Sequence, residues 1–196
     1  YQSGYFNAYK DIALKNDVDA VIHLGDYFYE YGATGSDPNR LHEPENEILS
    51  LADYRMRHSQ YKLDPDLRHV HQLYPFIAVW DDHETANNSW MDGAENHTEG
   101  TEGAWVDRKF YGQKSYFEWM PIRDVHNSVD TIHRRIPYGN LVDLLMIDTR
   151  LQGRQEQIGT TGAAVTDTNR TLLGYTQRDW LIQQLSNSTA QWKIIG

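Results

Sequence analysis

The sequence predicts a mixed α/β fold in which sheets are covered by helices. Three observations carry this. In the first half, short apolar runs rich in β-branched residues alternate with stretches of helical spacing. In the second half, a Gly-Asn pair flanked by two strand-like arms marks a hairpin. Between them, strand-like runs end in acidic turns, as they do where open α/β sheets hold ligands beyond the carboxyl ends of their strands.

Each element has a local signal. Ser3 is placed to cap a first helix carrying Phe6, Tyr9, Ile12 and Ala13. Ala20-Val21-Ile22-His23-Leu24 reads as a strand buried on both faces, ending at Gly25-Asp26. Residues 32 to 44 are loop-like. Ser50 is expected to cap a second helix bearing Leu51, Tyr54, His58 and Tyr61, and Pro65 to open a further helical turn. Phe76-Ile77-Ala78-Val79-Trp80 is the second buried strand and ends at Asp81-Asp82-His83-Glu84. Residues 87 to 103 form a long polar loop, a kind of segment that is usually functional or unstructured. Trp105 to Met120 is helical and is stopped by Pro121. Ile132 to Tyr138 and Leu141 to Ile147 are hairpin arms around Gly139-Asn140, the second running into Asp148-Thr149-Arg150. Thr176 with Asp179 predicts a capping box for a helix through Leu185, and Trp192 to Gly196 reads as a last buried strand. Domains rarely stop in mid-strand, and the first residue is Tyr1 instead of Met. The expectation is one domain over residues 1–196, truncated at both ends.

Composition narrows the function. A length of 196 residues suits one domain with a core. No apolar run approaches the ~20 residues of a membrane-spanning helix. A net charge of −10 argues against a nucleic-acid backbone as partner, since such binders present basic faces. It does not exclude a phosphate substrate, because bound cations reverse the local sign. The absence of cysteine rules out disulfides and thiolate metal sites in these residues.

The chemistry concentrates at the strand tips. In Gly25-Asp26-Tyr27-Phe28-Tyr29 the glycine turns the chain sharply, and Asp26 and Tyr29 stand where carboxylate and phenol share one hard cation. A phenolate is a costly ligand at neutral pH, its free pKa being ~10, so a trivalent ion such as Fe(III) fits best. A Gly-Asp pair alone is better explained as a structural turn. At Asp81-Asp82-His83-Glu84, three acids and a histidine repel one another unless a positive charge sits nearby, although a solvated loop with a helix cap is the simpler explanation.

Taken together, Val21-Ile22-His23-Leu24-Gly25-Asp26-Tyr27-Phe28-Tyr29-Glu30-Tyr31-Gly32, then Val79-Trp80-Asp81-Asp82-His83-Glu84 with Asn87-Asn88, then Met146-Ile147-Asp148-Thr149-Arg150 with Arg154, resemble the alkaline phosphatase D family. Gln2-Ser3-Gly4-Tyr5-Phe6 resembles the stretch following that family's first metal motif. The resemblance spans nearly the whole chain in order. The family is similar to purple acid phosphatases in its Gly-Asp-x-x-Tyr motif and belongs to the metallo-dependent phosphatases. The implied fold is an α/β/β/α sandwich.

The resemblance further implies roles, residue by residue. Asp26 bridges two metals, Tyr29 is the phenolate on the Fe(III) side, Asp82 holds a second metal, and Asn88 is a metal or phosphate contact. His83 stabilises the transferring group or protonates the leaving oxygen, and Arg150 lies near the phosphate. The implied cofactors are Fe(III) and Ca(II), though these residue types also suit Mn, Zn or Mg. The implied reaction is hydrolysis of phosphate monoesters or diesters by metal-activated water, outside the cytoplasm at an extracellular, periplasmic or cell-surface location. The family's cysteine-containing first motif and its late Gly-Asp-x-His motif are not in this sequence, so the stretch by itself is expected to be inactive. The alternative is a non-catalytic metal- or calcium-binding domain that keeps the fold. His42, Glu43, His58, His69 and His71 are read as surface or packing residues. Asn96-His97-Thr98 and Asn169-Arg170-Thr171 match the glycosylation pattern.

Overall fold

The computed structural model describes residues 4–34, 38, 40–123 and 127–196. Element order is α1 (Asn7–Ala13), β1 (Val21–His23), α2 (Leu51–Lys62), α3 (Pro65–Leu73), β2 (Phe76–Ala78), α4 (Trp105–Trp119), β3 (Arg134–Tyr138), β4 (Val142–Met146), α5 (Tyr175–Asn187) and β5 (Trp192–Ile195), with a 3₁₀ turn at Ala163–Thr166. This is the mixed α/β architecture that the sequence predicts.

Two small sheets organise it. β1 and β2 pair in parallel, Val21 opposite Phe76 and His23 opposite Ala78, with α2 and α3 in the crossover between them. Parallel pairing brings both carboxyl ends to one edge, so the Gly25-Asp26 turn and the Asp81–Glu84 turn emerge side by side. The second sheet has the order β3-β4-β5, antiparallel then parallel. Arg134 of β3 ties the sheets together by donating to the Ala78 carbonyl at 2.7 Å.

The helices form for legible reasons. Ser50 and Asp53 make a reciprocal capping box that opens α2. Asp64 caps α3 with Pro65 in its first turn. Along α2, Tyr54, Arg57, His58 and Tyr61 form one buried stripe at helical spacing. α4 packs so closely on the Asp81–Glu84 turn that a Cβ at Gly112 would stand 2.9 Å from Thr85 Oγ1 and 3.0 Å from the Glu84 carbonyl. Phe28, Ile48, Tyr54, Trp80, Tyr116 and Leu144 belong to the core beneath the strand tips. Each contributes roughly 1.5–3 kcal/mol by leaving water.

Several expectations are corrected. Ser3 lies outside the described residues, and α1 begins after Phe6 with no side-chain cap. β1 is not buried on both faces: Ile22 is 46% and Leu24 60% exposed, because β1 pairs only with β2 and one face lacks a covering layer. β5 is exposed along its whole length for the same reason, pairing with β4 on one side only. The Thr176–Asp179 capping box does not form. α5 starts two residues earlier than that box requires, at Tyr175, with Gly174 (φ +71°) at its cap, so Thr176 already lies inside the helix. Pro65 opens a nine-residue helix and not a single turn. The hairpin stands as expected, Tyr138 pairing with Val142 around residues 139–141.

Candidate metal centre

The site begins with a close backbone approach. Gly25 has φ +102°, and a Cβ there would meet the Asp81 amide nitrogen at 2.3 Å. Only glycine lets the two strand tips touch. Asp26 follows at φ +54°, a left-handed conformation that aspartate tolerates better than most residues. Glu84 then fixes the juxtaposition. Its Oε1 accepts the Tyr27 amide at 2.5 Å and its Oε2 the Asp81 amide at 2.8 Å, so one buried carboxylate clamps both turns.

Asp26, Asp82 and His83 thereby each bring a ligand atom within 4.8 Å of the others, the sole such group among the described residues. Tyr29 donates its hydroxyl to Asp26 Oδ2 at 3.2 Å, and its ring packs against the His83 imidazole with centroids 4.1 Å apart. The loop carrying Tyr29 is held from below by Arg57, whose buried guanidinium donates to the carbonyls of Tyr29 and Tyr31, and of Glu43 at 3.0 Å. Asn88, itself at φ +52°, donates its backbone N–H to Asp82 Oδ2 at 2.5 Å and its side-chain amide to Glu95. Arg150 reaches from the end of β4 to Asp81 at 2.5 Å and Asp82 at 3.2 Å. Its Nη1 is buried without a hydrogen-bond partner. All six predicted site residues therefore meet at one edge of the sheet.

The electrostatics are those of a centre short of positive charge. Burial pushes the Asp26 carboxyl up, and Asp81 and Asp82 push it further, against the opposing pull of His83. Burial and Asp26 push the Tyr29 phenol well up. Glu84 is pushed up to about 8 by burial, against the backbone amides that favour its charged form. For His83, burial lowers the pKa but the Glu30 hydrogen bond and charge outweigh it, leaving the imidazole above its usual value.

Do these residues fit a cation? Asp26 Oδ1 is buried with no partner, an orphaned acceptor that costs free energy as it stands. It lies in a cluster of carboxylate, imidazole and phenol, donors suited to hard or borderline ions. The donor set fits.

The sequence alone gives Glu30 no role. In the fold it is fully buried, binds His83 Nδ1 at 2.7 Å, and accepts the Asn87 amide at 2.6 Å and the Asn96 side chain at 2.8 Å. Asn96 also donates to Glu47, so its amide supports the site and is engaged where a glycan would have to attach. No local signal marks Glu30, whose partner His83 lies 53 residues along the chain. The histidines set aside stay apart: His42 binds the Tyr31 carbonyl, His71 binds Tyr27, His58 is packed among rings and His69 is exposed. No helix among the described residues is long and apolar enough to cross a membrane.

Known proteins bear on this geometry. The chain is 38% identical over 208 aligned residues to the alkaline phosphatase D of Bacillus subtilis (strain 168), an alignment covering all of this chain and 35% of that protein. It superposes on a solved structure described as "Structure of PhoD" with a TM-score of 0.88 and 36% identity, covering all of this chain and 39% of the other. The chain thus spans about a third of the length of the curated relative. The family described as "PhoD-like phosphatase" matches residues 1–196. With Asp26, Tyr29, Asp82 and His83 already converging at the strand tips, this match over the full length means that the chain belongs to the PhoD-like phosphatase family.

Proposed function

We propose that this chain carries part of the catalytic centre of a metal-dependent phosphoesterase acting on phosphate monoesters, diesters or both. The observation that carries the reading is the group Asp26, Asp82 and His83 within 4.8 Å, with one buried Asp26 oxygen unpartnered. Asp26, Tyr29 and Asp82 would hold the ions, with Asn88 beside them. Fe(III) on the Tyr29 side suits a phenol that only a strongly polarising ion can ionise, and Ca(II) suits the carboxylate oxygens. Bound there, such ions neutralise phosphate oxygens and lower the pKa of water.

The chain's own side chains supply the rest. Arg150, anchored on Asp81 and Asp82 through Nε and Nη2, keeps its Nη1 group for a phosphate oxygen. Glu30 occupies His83 Nδ1, which leaves Nε2 to face the centre. As the imidazolium, His83 donates that proton toward the leaving oxygen or stabilises charge on the transferring group. A location outside the cytoplasm rests on the family resemblance.

The test uses the full-length protein and chromogenic phosphate mono- and diesters. Chelation should abolish turnover, and metal should restore it. Asp82→Ala should lose both metal and turnover. His83→Ala should keep most metal and lose ~10²–10⁴ in kcat. Full activity after metal removal would sink the reading.

A further inference from the structure

At the other end of the sheet, where β2 begins, a cavity of about 450 Å³ lies beside Lys62, His71, Tyr74, Phe76, Trp119 and Met120. Lys62 Nζ stands 3.0 Å from His71 Nε2, 4.0 Å from Met120 Sδ and 5.0 Å from the Tyr27 ring centre. Among the described residues no carboxylate pairs with it, and Glu118, the one acid lining the cavity, is engaged by Arg55 and Lys114. Burial alone therefore acts on the amine and pulls it down to about 8.

Its neighbour sharpens this. Burial and the Lys62 charge lower His71 to about 4, so the imidazole is neutral near pH 7. A neutral Nε2 offers one lone pair, yet the Tyr27 hydroxyl at 2.9 Å and the Lys62 amine both point to it. With the His71 hydrogen on Nδ1, Lys62 donates to Nε2 and the lone pair of the uncharged amine stays free. A desolvated amine without a counter-ion, facing an open cavity with aromatic walls, is the setting in which lysine acts as a nucleophile.

We propose that Lys62 is a covalent attachment site and that the cavity takes planar aromatic aldehydes, which condense with it. Nζ adds to the carbonyl carbon, and the C=O pair with one nitrogen proton goes to oxygen, giving a carbinolamine. Loss of the hydroxyl with the second nitrogen proton, as water, leaves the C=N bond. No oxidant or reductant is consumed. Tyr74 and Trp119 supply aromatic surface for the ring. The site is independent of the strand-tip acids and of the phosphoesterase reading.

The experiment treats full-length protein with 2-hydroxybenzaldehyde at pH 7.5, traps the imine with cyanoborohydride and maps the adducts by peptide mass. Lys62 should be modified at least ~10-fold faster than exposed Lys10 and Lys15, since each unit of lowered pKa gives about tenfold more free amine at this pH. Lys62→Met should remove the fast phase, and Trp119→Leu should slow it while Lys10 and Lys15 react as before. Acetaldehyde, which has no ring, should show at least ~10-fold less preference for Lys62. Equal rates at Lys62 and Lys10 in folded protein, or a Lys62 preference that survives in urea, would overturn the proposal.

Discussion

Replacing Glu30 by glutamine tests whether the buried carboxylate prepares His83 for chemistry. In the native site Glu30 Oε2 lies 2.7 Å from His83 Nδ1, while Oε1 accepts from the Asn87 amide and Asn96. A carboxylate can only accept, so Nδ1 must carry a hydrogen, and the neutral ring turns its free lone pair to the centre. Glutamine has nearly the same shape. With its oxygen on the Asn87 amide, its NH₂ faces Nδ1 and donates, which moves the imidazole proton to Nε2 and removes the charge favouring imidazolium. The lost interaction is a charge-assisted hydrogen bond, worth about 1.5–3 kcal/mol. If it acts in the transition state, kcat should fall about 10- to 150-fold. The assay is kcat and KM on a chromogenic phosphate ester, with metal stoichiometry and melting temperature on the same samples. The expected pattern is a lower kcat, a nearly unchanged KM and full metal occupancy. A folded, metal-loaded Glu30→Gln protein with kcat within twofold of wild type would refute the reasoning. Loss of metal instead would make His83 a ligand and not a transition-state group.

Two further outcomes follow from the same geometry. If Tyr29 binds Fe(III), the full-length protein should show a visible charge-transfer band that Tyr29→Phe removes, and an iron-free, colourless, fully active enzyme would exclude that metal. His58 is fully buried, with both ring nitrogens unpartnered, and burial lowers it to about 3. Unfolded, it takes a proton near pH 6.5, so stability is intact above that pH and falls as pH drops toward 3, by about 2 kcal/mol between pH 6.5 and 5. His58→Phe carries a packing cost that is equal at every pH but no titration. Its melting temperature should therefore fall less steeply over this window, and parallel curves for the two proteins would refute the assignment.

The sequence made local features legible where a residue type has one physical use. Ser50, Pro65 and Gly139-Asn140 produced their caps and turn because those signals act within a few residues. The candidate residues could be read as a group because parallel pairing of β1 with β2 sets the turns carrying Asp26, Tyr29, Asp82 and His83 side by side, while Arg150 joins them from the second sheet through its ion pairs with Asp81 and Asp82. What failed depended on neighbours far along the chain. Ile22 and Trp192 look like core residues by type, but their exposure is decided by whether a layer packs over them. The Thr176–Asp179 pattern was real in sequence and lost to a two-residue shift of the helix start. Gly174 sets that start, packed so tightly on Gly153 that a Cβ added to it would stand 3.1 Å from Gly153 Cα. Glu30 and Arg57 were illegible for a related reason. Their partners lie 53 and up to 28 residues away, and nothing local marks a charged residue for burial.

Two buried charges, Arg57 and Glu84, show how the site is held in place. Arg57 spends its donors on backbone carbonyls of the loop that carries Tyr29, so it orients ligands without neutralising any acid of the centre. Glu84 clamps backbone amides of both turns and adds a negative charge beside Asp26 instead of relieving one. Among the described residues at the edge, Arg150, His83 and Arg154 bring positive charge, against Asp26, Asp81, Asp82, Glu30 and Glu84. Arg150 is already shared between Asp81 and Asp82, and His83 is held by Glu30. Asp26 is the acid left over, and its Oδ1 is the buried oxygen without a partner. Asp26 is half-buried and relieved only in part by the His83 charge and the Tyr29 hydroxyl, a deficit that a bound cation would complete. The scaffold thus places its deficit of positive charge at Asp26, the residue from which Tyr29 lies one hydrogen bond away and Asp82 and His83 lie within ligand distance.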